Sequence, residues 1–585
     1  MKTNIQIFRF LPLLALVASV NLIPAAHGEV LPDDRRFGAM THFAHGWDPR
    51  RVSAAEQAAI PSVRDELYWQ DVESEKGRFA FPASYDRYMA ALAEKHIEPL
   101  IILSYENKNY DDGSTPYTDA GIAAFARYAV EVLKRYGSQI KAVEVWNEYN
   151  GTFCKGPAVQ DRPGNYLRML RAVYIAVKKE RPDVLVIGGG TSGIPLPYWK
   201  SLLAGGALDF VDALSVHPYR YSLAPEGLEQ EIVGLRQLVA KYNEGRTKPI
   251  WVTEIGWYTK SSTAPGDLEI DDLTQAKFLV RSYALLLSAG VERVYWYLLH
   301  DYKTLNMGLY KDDAKLTIKP AGTALKTMVE QLRGAKFVKM EITASGVYSL
   351  VFARQPGDEV RVMWSLTPTA VPVKNGLSVA VDIAGSSVDV RDALHLTDSP
   401  LFVTGAAPAV PRPAISMSRT LTDSIRDFAA QQGNQGWSYG VFVGDSTRFV
   451  SLSSFNTTNW TEGWGGQYPY LTVTAHDQHP SLDGKTPVAA VRRWESNMSG
   501  TARIKGEFRC GTQGDGVGVS ILVDGTRRFR KLLGGNTGQP ILESFDLQVG
   551  VQPGTAIDFA VDPGPTADIS YDSTTVSVTI KEETQ

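Results

Sequence analysis

Short apolar segments alternate with amphipathic segments along the first half of the chain, from about residue 36 to 330. Eight apolar segments are rich in Val, Ile, Leu and aromatic residues and show no regular polar alternation. Strands that are buried on both faces of a parallel sheet have this composition. The eight predicted strands are 37–43, 60–64, 99–105, 141–146, 184–188, 213–217, 249–254 and 291–298.

The segments between these strands have helical periodicity. In 122–136, for example, Ile122, Phe125, Ala129 and Leu133 fall on one face of a helix, and 166–179 and 273–288 behave in the same way. Eight βα units in about 295 residues match the size of a (β/α)8 TIM barrel. An open doubly wound sheet is the alternative, and it fits less well because no glycine-rich phosphate loop follows the first strand.

The helical pattern ends near residue 335, and short strands with Gly and Asp turns replace it. We predict a small antiparallel accessory β-domain over 335–405, with strands at 348–354, 359–365, 378–383 and 400–405. A Pro-rich linker follows over 406–424, and a β-sandwich or jelly-roll domain over 425–585. The barrel is predicted to occupy 29–334.

The first 28 residues read as a secretory signal. Lys2 and Arg9 form a short positive segment before an apolar stretch over 10–20. Ala26-His27-Gly28 then places small residues before a cleavage site at Glu29. An uncleaved anchor is the alternative, but the apolar stretch is too short to span a bilayer. We therefore expect a secreted or periplasmic protein that does not associate with a membrane after cleavage.

Composition narrows the classes of function. The chain of 585 residues has 60 Lys and Arg against 64 Asp and Glu, so its net charge of −4 argues against nucleic-acid binding through a broad basic face. With 44% apolar residues, the chain is not disordered. Its two cysteines, Cys154 and Cys510, exclude a disulfide-dense scaffold; we expect two free thiols, with a disulfide between them as the alternative.

Two glutamates stand where predicted barrel strands meet their following loops, which is where barrel active sites lie. The fourth strand leads into Trp146-Asn147-Glu148 and the seventh into Thr253-Glu254-Ile255. Their spacing of 254 − 148 = 106 residues corresponds to three βα units, so the carboxylates face each other across the barrel mouth. A solvated strand-end residue is the alternative for either glutamate taken alone.

These two segments, the second extended by Gly256-Trp257, resemble the acid/base and nucleophile motifs of clan A of the retaining glycoside hydrolases. The similarity extends over 36–330 and is nearest to glycoside hydrolase family 39 and similar proteins, which include β-xylosidases and bacterial exopolysaccharide endoglycosidases. Residues 64–69, 72–73 and 77–79 resemble the second-strand segment of these proteins.

The resemblance implies a double-displacement mechanism. Glu254 would be the nucleophile and Glu148 the general acid and then the general base, with their carboxyl groups about 5–5.5 Å apart. Glu254 must be ionised to attack the anomeric carbon, and its negative charge favours the protonated form of Glu148. No cofactor and no metal ion are expected.

Further residues receive roles from the same resemblance. Asn147 would bond the sugar 2-hydroxyl, and its alternative role is to form the turn at the strand end. His217 and Tyr219 would orient the nucleophile and contact the sugar, with structural packing as the alternative. Arg64 at the end of the second strand would hold the nucleophile or form a surface ion pair, and Trp296 would form an apolar floor under the sugar or be a core aromatic residue.

Less specific candidates for lining a sugar groove are His42, Tyr105, Asn107 and Trp257. In the last domain, aromatic residues either bind glycan or fill the core: Trp437, Tyr439, Trp460, Trp464, Tyr468, Tyr470 and Trp494. The expected function is cleavage of β-glycosidic bonds, endo-acting on a polysaccharide or exopolysaccharide. The alternatives are an exo-acting β-xylosidase-like enzyme and a non-catalytic glycan-binding matrix protein.

Overall fold

The structure is a computed structural model that describes residues 34–220, 224–259, 270–342, 346–355, 357–373, 378–390, 393–405, 420–458, 461–511, 514–535 and 541–583. The predicted signal segment, most of the predicted linker and Trp460 lie outside these ranges. Within them, no helix combines the length and the apolar composition needed to cross a lipid bilayer.

Eight parallel strands in the described residues close into a barrel, in which each strand pairs with the next and the eighth pairs with the first. The strands are β1 Phe37–Met40, β2 Ser62–Tyr68, β3 Glu98–Ser104, β4 Ala142–Val145, β5 Leu185–Ser192, β6 Ala213–His217, β7 Ile250–Ile255 and β8 Val291–Trp296. This confirms the predicted TIM barrel and all eight apolar segments.

The predicted end of the second strand was wrong. β2 continues past Arg64 to Tyr68 and pairs with β3 along its whole length. Apolar patterning ends at Arg64 because the next residues are Asp65 and Glu66, yet both are buried in the strand. Polar residues inside a barrel strand need partners there, and these residues lead directly to the site described below.

Helices connect the strands and pack around the barrel. The α-helices of the described residues are α1 Val52–Gln57, α2 Trp69–Val72, α3 Ala83–Glu94, α4 Asp119–Tyr136, α5 Arg162–Glu180, α6 Leu196–Ala204, α7 Leu228–Tyr242, α8 Asp272–Ser288 and α9 Pro320–Leu332. The three predicted amphipathic segments lie within α4, α5 and α8. Side chains of Thr118, Asp161 and Asp271 cap these three helices by accepting hydrogen bonds from backbone amides of the first turn.

The lower interior of the barrel is filled by apolar side chains from several strands. These are Leu100, Ala142, Ile187, Ala213, Trp251 and Tyr295. Gly38 of β1 lies directly against the ring of Tyr295, and a Cβ atom at this position would overlap that ring. This filled layer leaves only the carboxyl ends of the strands to form a cleft.

Antiparallel sheets follow the barrel, as predicted. Six strands form one sheet in the order β14-β13-β16-β11-β10-β9, and β12 pairs with β15. The strands are β9 Lys336–Ile342, β10 Val347–Gln355, β11 Asp358–Ser365, β12 Thr369–Pro372, β13 Ser378–Asp382, β14 Ser387–Val388, β15 Ala393–Leu396 and β16 Leu401–Gly405. Glu226, in the loop before α7, accepts hydrogen bonds from Arg281 of α8 and from Trp364 of β11 and so joins this sheet to the barrel.

The remaining strands form two sheets that share one apolar core. They are β17 Thr420–Asp423, β18 Trp437–Val443, β19 Val450–Ser451, β20 Phe455–Thr458, β21 Thr461–Gly465, β22 Thr472–Thr474, β23 Asp477–His479, β24 Ser481–Asp483, β25 Thr486–Glu495, β26 Gly500–Cys510, β27 Val517–Val523, β28 Thr526–Leu533, β29 Leu542–Val551, β30 Ala556–Asp562 and β31 Thr574–Glu583. β17 falls inside the predicted linker but pairs with β31, so this sandwich begins before residue 425.

The aromatic residues of this sandwich divide into two groups. Trp437, Tyr439, Trp464 and Trp494 are buried in the shared core, so the packing alternative applies to them. Tyr470, in contrast, is 78% exposed and lines a surface groove together with Tyr468. The two cysteines, Cys154 by the barrel and Cys510 in the sandwich, are buried free thiols.

Gly38→Ala tests the packing of the barrel interior. The added methyl group would force the Tyr295 ring out of place, so we expect a destabilisation of about 1–3 kcal/mol. Scanning calorimetry should show a lower Tm for the barrel transition. Gly234→Ala is the matched control: Gly234 lies inside α7 with open space around its Cβ position, and alanine there should leave Tm unchanged or raise it slightly. Equal effects of the two substitutions would contradict the described packing.

Candidate active site

Arg64 lies at the centre of the cleft floor and is fully buried. Its Nε donates to Glu144 Oε2 at 2.6 Å, Nη1 to Glu254 Oε1 at 2.5 Å and Nη2 to Asn147 Oδ1 at 2.9 Å. One planar guanidinium therefore links β2, β4 and β7 and sets the direction of two candidate site residues. Arg64 holds Glu254 as the resemblance implies, but from the middle of β2 rather than from its end.

The groups around Glu254 favour the ionised form of its carboxylate. Its Oε2 accepts a hydrogen bond of 2.8 Å from the Tyr219 hydroxyl, while its Oε1 accepts the bond from Arg64. Burial alone would raise the pKa of Glu254, but His217, the Arg64 guanidinium and the Tyr219 hydroxyl stabilise the charged form and hold the pKa below its ordinary value. An ionised carboxylate is the form that acts as a nucleophile.

Glu148 stands in the loop that follows β4. Its backbone adopts a positive φ of 43°, and its amide donates to the carbonyl of Gly190 at 2.6 Å. Gly190 has a positive φ of 48°, and a Cβ atom there would lie 3.3 Å from the carbonyl oxygen of Trp146. Glycine at this position therefore allows β5 to approach the Glu148 loop closely.

The imidazole of His217 lies close to both carboxylates. Its Nδ1 lies 3.0 Å from Glu148 Oε1 and 3.8 Å from Glu254 Oε2, and its Nε2 lies 3.0 Å from Thr253 Oγ1. Thr253 donates its single hydroxyl hydrogen to Glu144, so His217 Nε2 must donate to Thr253. With Nε2 directed to Thr253, the Nδ1 atom of His217 faces Glu148 and orients its carboxyl group.

The separation of the two carboxylates distinguishes between mechanisms. One oxygen of Glu148 lies within 4.8 Å of one oxygen of Glu254. Retaining glycosidases have carboxyl groups about 5–5.5 Å apart, whereas inverting enzymes need about 6.5–9.5 Å to admit a water molecule. A nearest oxygen–oxygen distance below 4.8 Å is compatible with the shorter of these two separations.

Four of the predicted sugar contacts are buried in this structure. His217 is fully buried and bonded to Glu148 and Thr253. Trp296 is fully buried and bonded to the carbonyl of Met307, and Trp257 stacks on Trp296 in the same core. Asn107 is also buried, because its amide group donates to the backbone carbonyls of residues 69 and 73.

Tyr297 occupies the position that we expected for Trp296. It is half-buried, its hydroxyl lies 3.2 Å from His42 Nε2, and its ring meets the ring of Tyr219 edge to face. Successive residues at a strand end point to opposite sides, so the choice between two adjacent aromatic residues depends on register. The sequence signal was present one residue later, and we missed it.

The remaining candidates lie at the cleft. Asn147 and Tyr219 contact the carboxylate network already described, and His42 is nearly buried beside Tyr297. Tyr105 is half-buried and stacks on Phe153, which is 36% exposed. This pair forms an apolar edge next to the loop that carries Glu148.

Glu66 and Glu144 are functional-site residues that the sequence analysis missed. Each lies inside an otherwise buried strand, with Glu144 bonded to Arg64 and Glu66 3.5 Å from His42 Nδ1. A charged residue within a buried parallel strand is itself a signal, because it must have a partner. Glu66 stands in the segment 64–69 that carries part of the family resemblance.

Two groups of the described residues bring three potential metal-ligand atoms within 4.8 Å of one another. They are Glu148, His217 and Glu254, and His42, His45 and Glu66. In the first group the atoms are occupied by hydrogen bonds to one another, to Arg64 and to Tyr219. The second group lies beside Tyr297 and is considered below.

Comparisons with known proteins support the fold. No protein-family model and no curated protein sequence matches the chain. A family 39 glycoside hydrolase from the gut symbiont Bacteroides cellulosilyticus is similar in structure, with a TM-score of 0.55 and 24% identity, covering 65% of this chain and 82% of that one.

Two other solved structures are more distant. A family 39 β-xylosidase from Caulobacter crescentus has a TM-score of 0.48 and 15% identity, covering 66% of this chain and 98% of that one. The catalytic domain of family 30 xylanase C from Talaromyces cellulolyticus has a TM-score of 0.48 and 12% identity, covering 63% and 96%. With its TM-score above 0.5, the Bacteroides structure shows that this chain shares its fold with a family 39 glycoside hydrolase.

Proposed function

We propose that this protein is a retaining β-glycoside hydrolase in which Glu254 is the nucleophile and Glu148 is the general acid and base. The observation that carries the proposal is the placement of two carboxylates within 4.8 Å in one cleft, with unlike surroundings. Arg64 and Tyr219 bond to Glu254 and favour its ionised form, while Glu148 is bonded to His217. Carboxylates with divided roles are what this reaction needs.

In the first step Glu254 attacks the anomeric carbon of the sugar. A bond forms between its carboxylate oxygen and that carbon, and the bond to the leaving oxygen breaks with its electron pair. Glu148 gives its proton to the leaving oxygen, so the departing chain leaves as an alcohol. As the negative charge of Glu254 is lost, Arg64 remains paired with Glu144, and the buried guanidinium keeps a counter-ion.

In the second step water replaces the departed chain. The carboxylate of Glu148 takes a proton from this water, whose oxygen attacks the anomeric carbon from the side opposite Glu254. The bond to Glu254 breaks, the carboxylate is restored, and the product keeps the β-configuration because the carbon has been inverted twice. Asn147, held by Arg64, is placed to bond the 2-hydroxyl of the sugar through both steps.

Endo action on a polysaccharide is the finer part of the proposal. It is supported by the edge of Tyr105 and Phe153 beside the Glu148 loop, because exposed aromatic faces bind the apolar faces of further sugar units. The groove of Tyr468 and Tyr470 offers a second aromatic surface for glycan in the last sandwich. Export remains a prediction from residues 1–28, and a β-xylosidase-like exo action is the alternative.

Isosteric substitution of the two glutamates tests the function on a panel of β-linked polysaccharides. We expect the wild type to release oligosaccharides before monosaccharide, as measured by product sizing over time. Glu148→Gln should lower kcat by about 10²–10⁴-fold, and Glu254→Gln by roughly 10⁴-fold or more, with Tm close to that of the wild type. Monosaccharide as the only product would favour exo action.

The matched control is Glu98→Gln, which removes a buried carboxylate paired with Arg293 at the amino end of β3, away from the cleft. It should change Tm without changing kcat per folded molecule. Wild-type turnover in either Glu148→Gln or Glu254→Gln would refute the assignment.

The pH dependence of kcat/KM tests the hydrogen bond from Tyr219 to Glu254. Tyr219→Phe removes a donor to the carboxylate, so the pKa of Glu254 should rise. A higher pH is then needed to ionise the nucleophile, and the acidic limb of the profile should move to higher pH. Tyr174→Phe, a change of the same kind on α5 outside the cleft, should leave the limb in place. A limb that stays at the wild-type pH in Tyr219→Phe would contradict the role of this bond.

A further inference from the structure

Glu66 is a buried carboxylate that pairs with the imidazole of His42. The residue is 5% exposed, and its enclosed Oε2 lies 3.5 Å from His42 Nδ1, a separation that is long for a hydrogen bond. One long ion pair leaves most of the acceptor capacity of a buried carboxylate unused, so a donor from outside the protein would stabilise this site.

The neighbouring residue Asp65 is, in contrast, a carboxylate with a structural role in the same strand. Asp65 accepts hydrogen bonds from the Thr41 hydroxyl and from the backbone amides of Phe43 and Glu66, all at 2.7 Å. These bonds tie β1 to β2 and leave little capacity for a ligand. Glu66 is as buried as Asp65 to within a few per cent but makes none of these bonds, and its charge is stabilised by His42 instead.

Glu66 lies two residues after Arg64 in β2, so both side chains are on the same face of the strand, and Arg64 bonds to Glu254 there. Burial raises the pKa values of the Tyr105 and Tyr297 hydroxyls, and the charges of both carboxylates raise these pKa values further. Tyr297 is held by His42, which in turn lies against Glu66. A sugar attached to Glu254 would therefore have Glu66 on its β1–β2 side, away from Asn147.

We propose that Glu66, positioned by His42, accepts hydrogen bonds from the hydroxyl groups of the sugar that becomes attached to Glu254, at the edge remote from the cleaved bond. This inference rests on the proposed function and deepens it by naming the substrate class. The sugar is a neutral one that presents hydroxyl donors to Glu66. A uronic acid is disfavoured, because its carboxylate would meet the negative charges of both Glu66 and Glu254.

A divalent cation held by His42, His45 and Glu66 is the competing occupant. His45 Nε2 is engaged by the Tyr68 hydroxyl and His42 Nε2 by Tyr297, whereas His42 Nδ1 makes no hydrogen bond to a described residue and lies 3.5 Å from Glu66 Oε2. A cation would therefore find ligand atoms on His42 and Glu66, and the metal-chelation measurement below distinguishes the two occupants. Without a cation, His42 lies between Glu66 and Tyr297 and holds both in position.

The test is a cycle of kinetic measurements on the full chain that combines Glu66→Gln with altered substrates. The substrates are a 4-nitrophenyl β-glycoside that the wild type cleaves and its 3-deoxy and 4-deoxy analogues. In the wild type, removing the hydroxyl that Glu66 binds should lower kcat/KM by about 10- to 100-fold. In Glu66→Gln, kcat/KM for the parent should fall to a similar degree, and the same deoxygenation should cause little further loss.

The loss should be coupled to that one hydroxyl, and a merely structural role of Glu66 would not produce such coupling. Glu98→Gln is again the control and should respond to deoxygenation like the wild type. The corresponding β-glucuronide should be cleaved at least about 10-fold more slowly than the neutral glycoside by the wild type, and this ratio should shrink in Glu66→Gln. Equal, additive losses for every analogue in both proteins would overturn the proposal.

Two further measurements distinguish the hydroxyl-binding role of Glu66 from a cation site and from a failure of the proposed function. Loss of activity with EDTA and its recovery with Zn²⁺ would show a cation site and overturn the hydroxyl assignment. If the wild type cleaves no β-glycoside at all, the proposed function fails. Titration calorimetry with the parent sugar and its deoxy forms would then decide about Glu66 alone: weaker binding of the parent by Glu66→Gln, coupled to the same hydroxyl, supports it, and unchanged binding contradicts it.

Discussion

The buried guanidinium of Arg64 is the interaction on which the cleft depends. A fully buried cation is tolerated only when its hydrogen-bond donors meet acceptors and its charge is balanced. Arg64 meets both conditions through Glu144, Glu254 and Asn147, which come from β4, β7 and the loop after β4. Because the fork of the guanidinium has fixed geometry, these three partners are fixed relative to one another as well.

That constraint gives the two carboxylates of the cleft different chemical states. Arg64 and Tyr219 stabilise the charge of Glu254, whereas Glu148 lies beyond the reach of Arg64 and faces His217. Thr253 and Glu144 determine which nitrogen of His217 carries the hydrogen toward the core. A chain of hydrogen bonds that begins at the same guanidinium thus orients His217 toward Glu148.

Much of the fold was predictable because the barrel strands are nearly continuous apolar segments and the helices have a clear amphipathic period. The pattern failed at β2, where Asp65 and Glu66 are buried through contacts that only the closed barrel provides. It also failed at Trp296, since two aromatic residues at a strand end face opposite sides and register decides which one meets the cleft. In the last sandwich, composition alone could not separate core residues such as Trp437 from the exposed Tyr470.

The central claim is that Glu254 forms a covalent bond with the sugar. A 2-deoxy-2-fluoro β-glycoside with a good leaving group should slow the second step more than the first, because the fluorine destabilises an oxocarbenium-like transition state and the leaving group needs no proton. Mass spectrometry of the digested protein should then find one sugar on the peptide that contains Glu254. A sugar on another residue, or an unlabelled protein that still cleaves the unmodified glycoside, would contradict the account.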